Sequence, residues 1–269
     1  MKQRIVSAVI GVALLIAVLI SDSIIVNIGV AVIGFIALLE MYEAVGLTKY
    51  LPLKILGLCA SFCFTFAYSF DNKLFMPTMY FYIVLLFGLY MIKSSNLALK
   101  DISKMFFLTI FVCFFLAHIV FIRKLELGQY LIWLVFVGAF MTDTFALLAG
   151  MLFGKHKLNE WLSPKKTVEG SIGGVFGAAL GMVLYGYIVQ TFFNLTVDFW
   201  LLAVLGTVSS VAAQVGDLAA SRIKREFGVK DYGKIMPGHG GVMDRFDSVI
   251  FVAPIVYLFV SNINVIFTR

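Results

Sequence analysis

Charge is what this sequence has least of. Only 13% of its 269 residues are Asp, Glu, Lys or Arg, where soluble domains carry roughly a quarter, so the chain does not read as a water-soluble globular protein. Cysteine is nearly absent as well: Cys59, Cys63 and Cys113 are the three in the chain, all in apolar segments. No disulfide framework follows from them. Cys59 and Cys63 are one helical turn apart but have no third or fourth ligand type beside them, so they read as small buried hydrophobes. The net charge of +6 is not gathered into a basic patch with interleaved aromatics, which argues against a nucleic-acid partner. There is no internal repeat and no low-complexity tract.

What the sequence has instead is apolar length. Hydrophobic residues make up 61% of the chain, and runs of about 18 or more are transmembrane-helix candidates. Apolar windows predict nine spans, near 5–20, 24–42, 52–70, 75–92, 103–122, 129–153, 168–193, 199–221 and 243–264. The expectation is an all-α, polytopic membrane bundle. Met1-Lys2-Gln3-Arg4 before the first run looks like a signal peptide's start, but the repeated later spans favour an uncleaved first helix. With the N-terminus inside, 17 of the 21 Lys and Arg residues fall in inner loops and four (Lys73, Arg123, Lys124 and Arg269) outside. That bias predicts a cytoplasmic N-terminus, an external C-terminus and an odd number of spans. Residues 1–128 read as structural spans with sparse polar content, in contact with lipid or a second copy. Residues 129–269 read as the region of chemistry, with cytoplasmic loops at 154–167 and 222–241.

Carboxylates inside such a chain need a reason, because a charge at the bilayer centre costs on the order of 3 kcal/mol on insertion scales. Asp143 lies within the sixth expected span, Asp217 near the cytoplasmic end of the eighth, and Asp244 and Asp247 open the ninth. Helix-start carboxylates commonly satisfy free N–H groups and the helix dipole, which would explain Asp244 and Asp247 but not the other two. At helical spacing Asp217, Ser221 and Lys224 share one face, and Asp244 and Asp247 share another. Two acidic faces flanking a basic loop suit Mg²⁺, which takes one or two carboxylates plus substrate phosphates. Lys224, Arg225, Lys230 and Arg245 offer charge for phosphates, and Gly240 and Gly241 let backbone N–H groups approach an anion. Such a loop can equally be a topology signal or a headgroup contact. In the other loop Ser163 or Thr167 is a candidate helix cap, with Glu169 in the first turn. Gly173, Gly177 and Gly181 then recur every four residues, as close helix packing requires. His118 reads as structural, and His239, between glycines, as a site candidate.

The run Ser221-Arg222-Ile223-Lys224-Arg225, then Lys230-Asp231-Tyr232-Gly233, then Pro237-Gly238-His239-Gly240-Gly241-Val242-Met243-Asp244-Arg245-Phe246-Asp247 closely resembles the signature of phosphatidate cytidylyltransferases. Ser163-Pro164-Lys165-Lys166-Thr167 with Glu169-Gly170, and Asp143-Thr144, also look like family elements. The resemblance spans roughly residues 135–250, and the earlier spans match only in hydropathy. Met236 departs slightly, standing where the family commonly has a shorter branched residue. The resemblance implies transfer of CMP from CTP to phosphatidic acid, with release of pyrophosphate, by a cytoplasm-facing site in the cell membrane of a homodimer. It implies Asp217, Asp244 and Asp247 as metal-holding, with Asp143 more distant and a second cation allowed. Lys224 joins the catalytic set, and Arg225, Lys230 and Arg245 meet phosphates. Ser221, His239, Gly240 and Gly241 shape the binding loop, and Ser163, Lys165, Lys166 and Thr167 line the cavity. Open alternatives are a CTP-dependent polyprenol or lipid kinase, a cation-coupled transporter and a silent scaffold.

Overall fold

The computed structural model describes residues 2–70, 72–92, 97–236 and 240–268. Among these, nine α-helices account for most of the chain: α1 (Lys2–Ile20), α2 (Ser23–Ala44), α3 (Leu51–Phe70), α4 (Phe75–Met91), α5 (Leu99–Lys124), α6 (Gly128–Phe153), α7 (Val168–Phe193), α8 (Phe199–Glu226) and α9 (Met243–Val260). Each coincides with one of the nine expected spans, so the chain is an all-α membrane bundle. Five of them (α2, α5, α6, α7 and α8) are long and apolar enough to cross a membrane by length and composition. The N-terminal part of α9 carries Asp244, Arg245 and Asp247, which lowers its hydropathy at the end where the polar residues gather. Two short antiparallel hairpins, β1 (Lys157–Asn159) with β2 (Ser163–Thr167) and β3 (Leu195–Val197) with β4 (Ile266–Thr268), complete the fold.

The chain forms two compact units: residues 1–121 with 227–245, and residues 122–226 with 246–269. In the first, Tyr42, Phe64, Leu86 and Met105 are fully buried. The Tyr82 hydroxyl donates to Thr109 Oγ1 at 2.7 Å, and the Tyr42 hydroxyl meets the same atom at 2.5 Å, so the buried hydroxyls satisfy one another. Gly57 leaves room for the Tyr42 ring, since a Cβ there would strike its hydroxyl. His118, 5% exposed, lies between the rings of Phe114 and Phe121 and bonds the Phe114 carbonyl at 2.8 Å, as a structural histidine should. Cys113 is buried as expected, but Cys59 and Cys63 are exposed. Their shared face of α3 points away from the protein core, and in a membrane a thiol is apolar enough to face lipid.

In the second unit the glycine stripe of α7 packs on α6. A Cβ at Gly173 would strike Ala149, one at Gly177 would strike Phe145, and one at Gly181 would come within 2.6 Å of Met141. The four-residue spacing on both helices brings two backbones into direct approach along an antiparallel seam, which dispersion and not water exclusion stabilises in lipid. Gly206 does the same for α8, where a Cβ would lie 2.7 Å from the Ala179 Cα.

Candidate active site

The seam ends in a cleft of about 420 Å³ in the second unit, lined by parts of α6, β1, β2, α7 and α8. Thr167 sets its geometry. It occupies the N-cap of α7 in extended conformation, and its Oγ1 accepts the Gly170 N–H at 3.1 Å, satisfying one of the free donors of the first turn. Of the two candidate caps, Thr167 is therefore the one used. A Cβ at Gly170 would lie 2.7 Å from the Ala146 carbonyl, and one at Gly150 3.1 Å from Thr167 Oγ1, so small residues press the start of α7 onto α6. The segment before it is a β-hairpin rather than an irregular loop. Glu169 ties the hairpin's entry to α7 by accepting the backbone N–H groups of Lys155 and His156 at 3.1 and 3.3 Å and meeting His156 Nδ1 at 2.6 Å.

This hairpin delivers Lys165, Lys166 and Thr167 to the cleft wall, facing Asp143 and Asp217. Ser163, expected beside them, is not among the lining residues; it pairs with Asn159 in the hairpin. Lys166 Nζ forms an ion pair with Asp217 Oδ2. Asp143 is exposed to the cleft rather than enclosed among helices, which accounts for a carboxylate in the middle of α6. Ser248 Oγ donates to Asp143 at 3.3 Å, while the Ser248 N–H donates to Asp247 Oδ1 at 2.7 Å. Ser248 thus joins two of the carboxylates. Gly216 permits the approach of α9, because a Cβ there would lie 2.7 Å from the Asp247 carbonyl oxygen. Asp217, Asp143 and Lys224 all lie within electrostatic range of the Asp247 carboxylate. Leu147, Met151 and Leu158 add apolar surface to the same cleft.

Sequence reasoning passed over Ser248 and Gln214. Gln214 lines the cleft and donates to the Ser171 carbonyl and Ser210 Oγ at 3.1 and 3.2 Å. A glutamine inside an apolar helix, three residues before Asp217, was the available signal.

The basic segment divides differently from expectation. α8 continues to Glu226, beyond the expected end at 221, because no helix breaker intervenes before Gly228, whose φ of +68° turns the chain. Ser221 and Lys224 are therefore half-buried helical residues, while Arg225, Lys230 and Arg245 are exposed. In the first unit, Asp244 Oδ2 accepts the N–H groups of Tyr232 at 2.9 Å and Gly241 at 3.0 Å. Gly240 sits at φ +82°, and its carbonyl oxygen accepts the Met236 N–H at 3.0 Å. His239 lies outside the described residues. Asp244 and Asp247 do share a face of α9, one turn apart.

Glu40 was not anticipated, because the chemistry was expected only after Gln129. This α2 residue is 3% exposed. Its Oε1 accepts the Val242 N–H at 3.0 Å and its Oε2 the Met243 N–H at 2.8 Å.

The chain matches the family model described as "Cytidylyltransferase family" over residues 2–263, so the likeness includes the N-terminal spans and is wider than the motifs at 135–250 suggested. A Staphylococcus epidermidis protein named phosphatidate cytidylyltransferase is 48% identical over 120 residues, 45% of each chain. Proteins of the same name from Staphylococcus saprophyticus and Staphylococcus aureus are 41% identical over 136 residues (51% of each) and 46% identical over 128 residues (48% of each). The aligned region spans about half the length of these curated relatives.

Proposed function

Because the chain belongs to the cytidylyltransferase family, we propose that it transfers CMP from CTP to phosphatidic acid, giving CDP-diacylglycerol and pyrophosphate for phospholipid synthesis. The observation that carries this reading is a cleft in which Lys166, paired to Asp217, and Asp143 line the same space as the apolar side chains of Leu147, Met151 and Leu158. Such a cleft suits a substrate with an anionic head and an apolar body. The names of the relatives support the same substrate pair.

In the reaction, an oxygen of the lipid phosphate attacks the α-phosphorus of CTP, and the bond from that phosphorus to the β-bridging oxygen breaks. The electron pair leaves with pyrophosphate, so the protein has mainly to position two anions and offset their repulsion. Lys165 and Lys166 hold phosphate oxygens in the cleft, and Lys224, Arg225, Lys230 and Arg245 add charge along the segment that follows. Ser248 keeps Asp143 and Asp247 aligned, and Thr167 keeps the hairpin on α7.

The donor set fits Mg²⁺. Asp217 and Asp247 lie within electrostatic range of each other, and a cationic group already sits on Asp217. Among the described residues no three His, Cys, Asp or Glu side chains form a ready cage, consistent with an ion that completes its shell with substrate phosphates and water. Asp217 and Asp247 would hold it, and the resemblance also implies a metal-holding role for Asp244 on the same helix as Asp247. Bound there, it would neutralise charge on the phosphates and on the leaving pyrophosphate. We place the site on the cytoplasmic side of the cell membrane, following the charge bias, in a homodimer.

The test is purified protein in mixed micelles with phosphatidic acid, labelled CTP and Mg²⁺, following lipid-soluble label and pyrophosphate together. Both should appear, and should fall at least 100-fold in Asp217→Asn. Release of CDP with a lipid alcohol would replace this reading with a lipid kinase.

A further inference from the structure

The N-terminus of α9 lacks a cap of its own. The residues before Met243 are Gly241 and Val242, neither of which has a side chain able to accept a hydrogen bond, although a helix start leaves its first N–H groups unpaired. The acceptor comes instead from α2, some 200 residues earlier in the chain. Glu40 uses both carboxylate oxygens, one for the Val242 N–H and one for the Met243 N–H. A negative charge at this end is favoured by the helix dipole, and two separate charge-assisted bonds fix orientation as well as position.

The surrounding chain is shaped to this carboxylate. A Cβ at Gly233 or at Gly241 would run into the Glu40 carboxyl group, so two turns of the loop come close only because both residues are glycine. The next residue but one after Val242 is Asp244, whose Oδ2 holds the N–H groups of Tyr232 and Gly241. Glu40 thus fixes the backbone from which Asp244 projects, and Asp244 fixes the loop over it.

We infer that Glu40 is a positioning residue for the reaction, an N-cap supplied from another helix that sets the place of Asp244 at the head of α9. It does not touch substrate; it acts through the backbone of Val242 and Met243. This rests on the reading of Asp244 as a metal-holding residue.

The test compares Glu40→Gln, Glu40→Asp and Glu43→Gln in the full-length protein in detergent. Glu43 is on the same helix, with a mostly exposed side chain paired to Lys54 at 3.8 Å, and serves as the charge-matched control. Hydrogen–deuterium exchange should rise at least 10-fold for the amides of residues 241–245 in Glu40→Gln, where one carbonyl oxygen must serve two donors. Mn²⁺ affinity in the presence of CTP, read by electron paramagnetic resonance, should fall at least 10-fold. Glu40→Asp should recover part of both, and Glu43→Gln should change neither. Unchanged exchange, or faster exchange with unchanged Mn²⁺ affinity, would overturn the inference. Wild-type CMP transfer in the same preparation separates the two questions. Its absence removes the functional reading, while the exchange and Mn²⁺ results still decide the role of Glu40.

Discussion

Replacing Gly206 by alanine tests the packing that brings the site together. In the interior of an exposed helix this change stabilises by roughly 1 kcal/mol, since alanine loses less backbone entropy. At Gly206 the new Cβ would meet the Ala179 Cα at 2.7 Å, the Ala178 carbonyl at 2.8 Å and the Ala179 nitrogen at 2.9 Å. All three are backbone atoms, so no rotamer change relieves them. Reaching ordinary contact near 3.4 Å requires α7 and α8 to separate by about 0.7 Å. Overpacking of this kind costs typically 1–3 kcal/mol, occasionally more, and should outweigh the propensity gain. Gly88, with nothing within 4 Å of its Cβ position, is the matched control. Thermal unfolding in detergent, followed by tryptophan fluorescence, should show Gly206→Ala melting several degrees below wild type and Gly88→Ala at or above it. Because Thr167 caps α7 and α8 carries Asp217, the same separation should lower turnover in the folded fraction. If Gly206→Ala melts as high as Gly88→Ala, the claim that backbone contact joins these helices is wrong.

Lys166→Met and Asp217→Asn should each lower turnover at least 100-fold, and the double variant should lose much less than the product of the two, as expected for groups acting as a pair; additive losses would show that the ion pair is not the acting unit. Thr167→Ala removes the cap of α7 and should destabilise by about 1 kcal/mol, with Thr167→Ser restoring most of it in the same unfolding assay.

The number and order of the helices were legible because the signal is cumulative. Each span needs only a run of apolar residues, and in lipid a helix satisfies all its backbone groups internally. The stripe Gly173, Gly177 and Gly181 was legible too, since a spacing of four names one helical face without knowledge of its partner. That the partner is Ala149, Phe145 and Met141 of α6 was not. Asp143 and Asp217 could be marked as unusual by cost alone, whereas their link to Lys166 and Ser248 depends on how α6, α8, α9 and the β1–β2 hairpin pack.

Glu40 shows where the boundary lies. Its charge in an apolar run is visible in the sequence, but its role comes from two backbone N–H groups some 200 residues away, and backbone groups carry no sequence signature. Composition, periodicity and local motif determined that this chain is a helical membrane protein with an acidic and basic motif cluster between residues 217 and 247. Only the tertiary structure decided which of those residues meet, because contact between distant segments is set by the packing of glycine faces and by which side chain reaches an unpaired helix end.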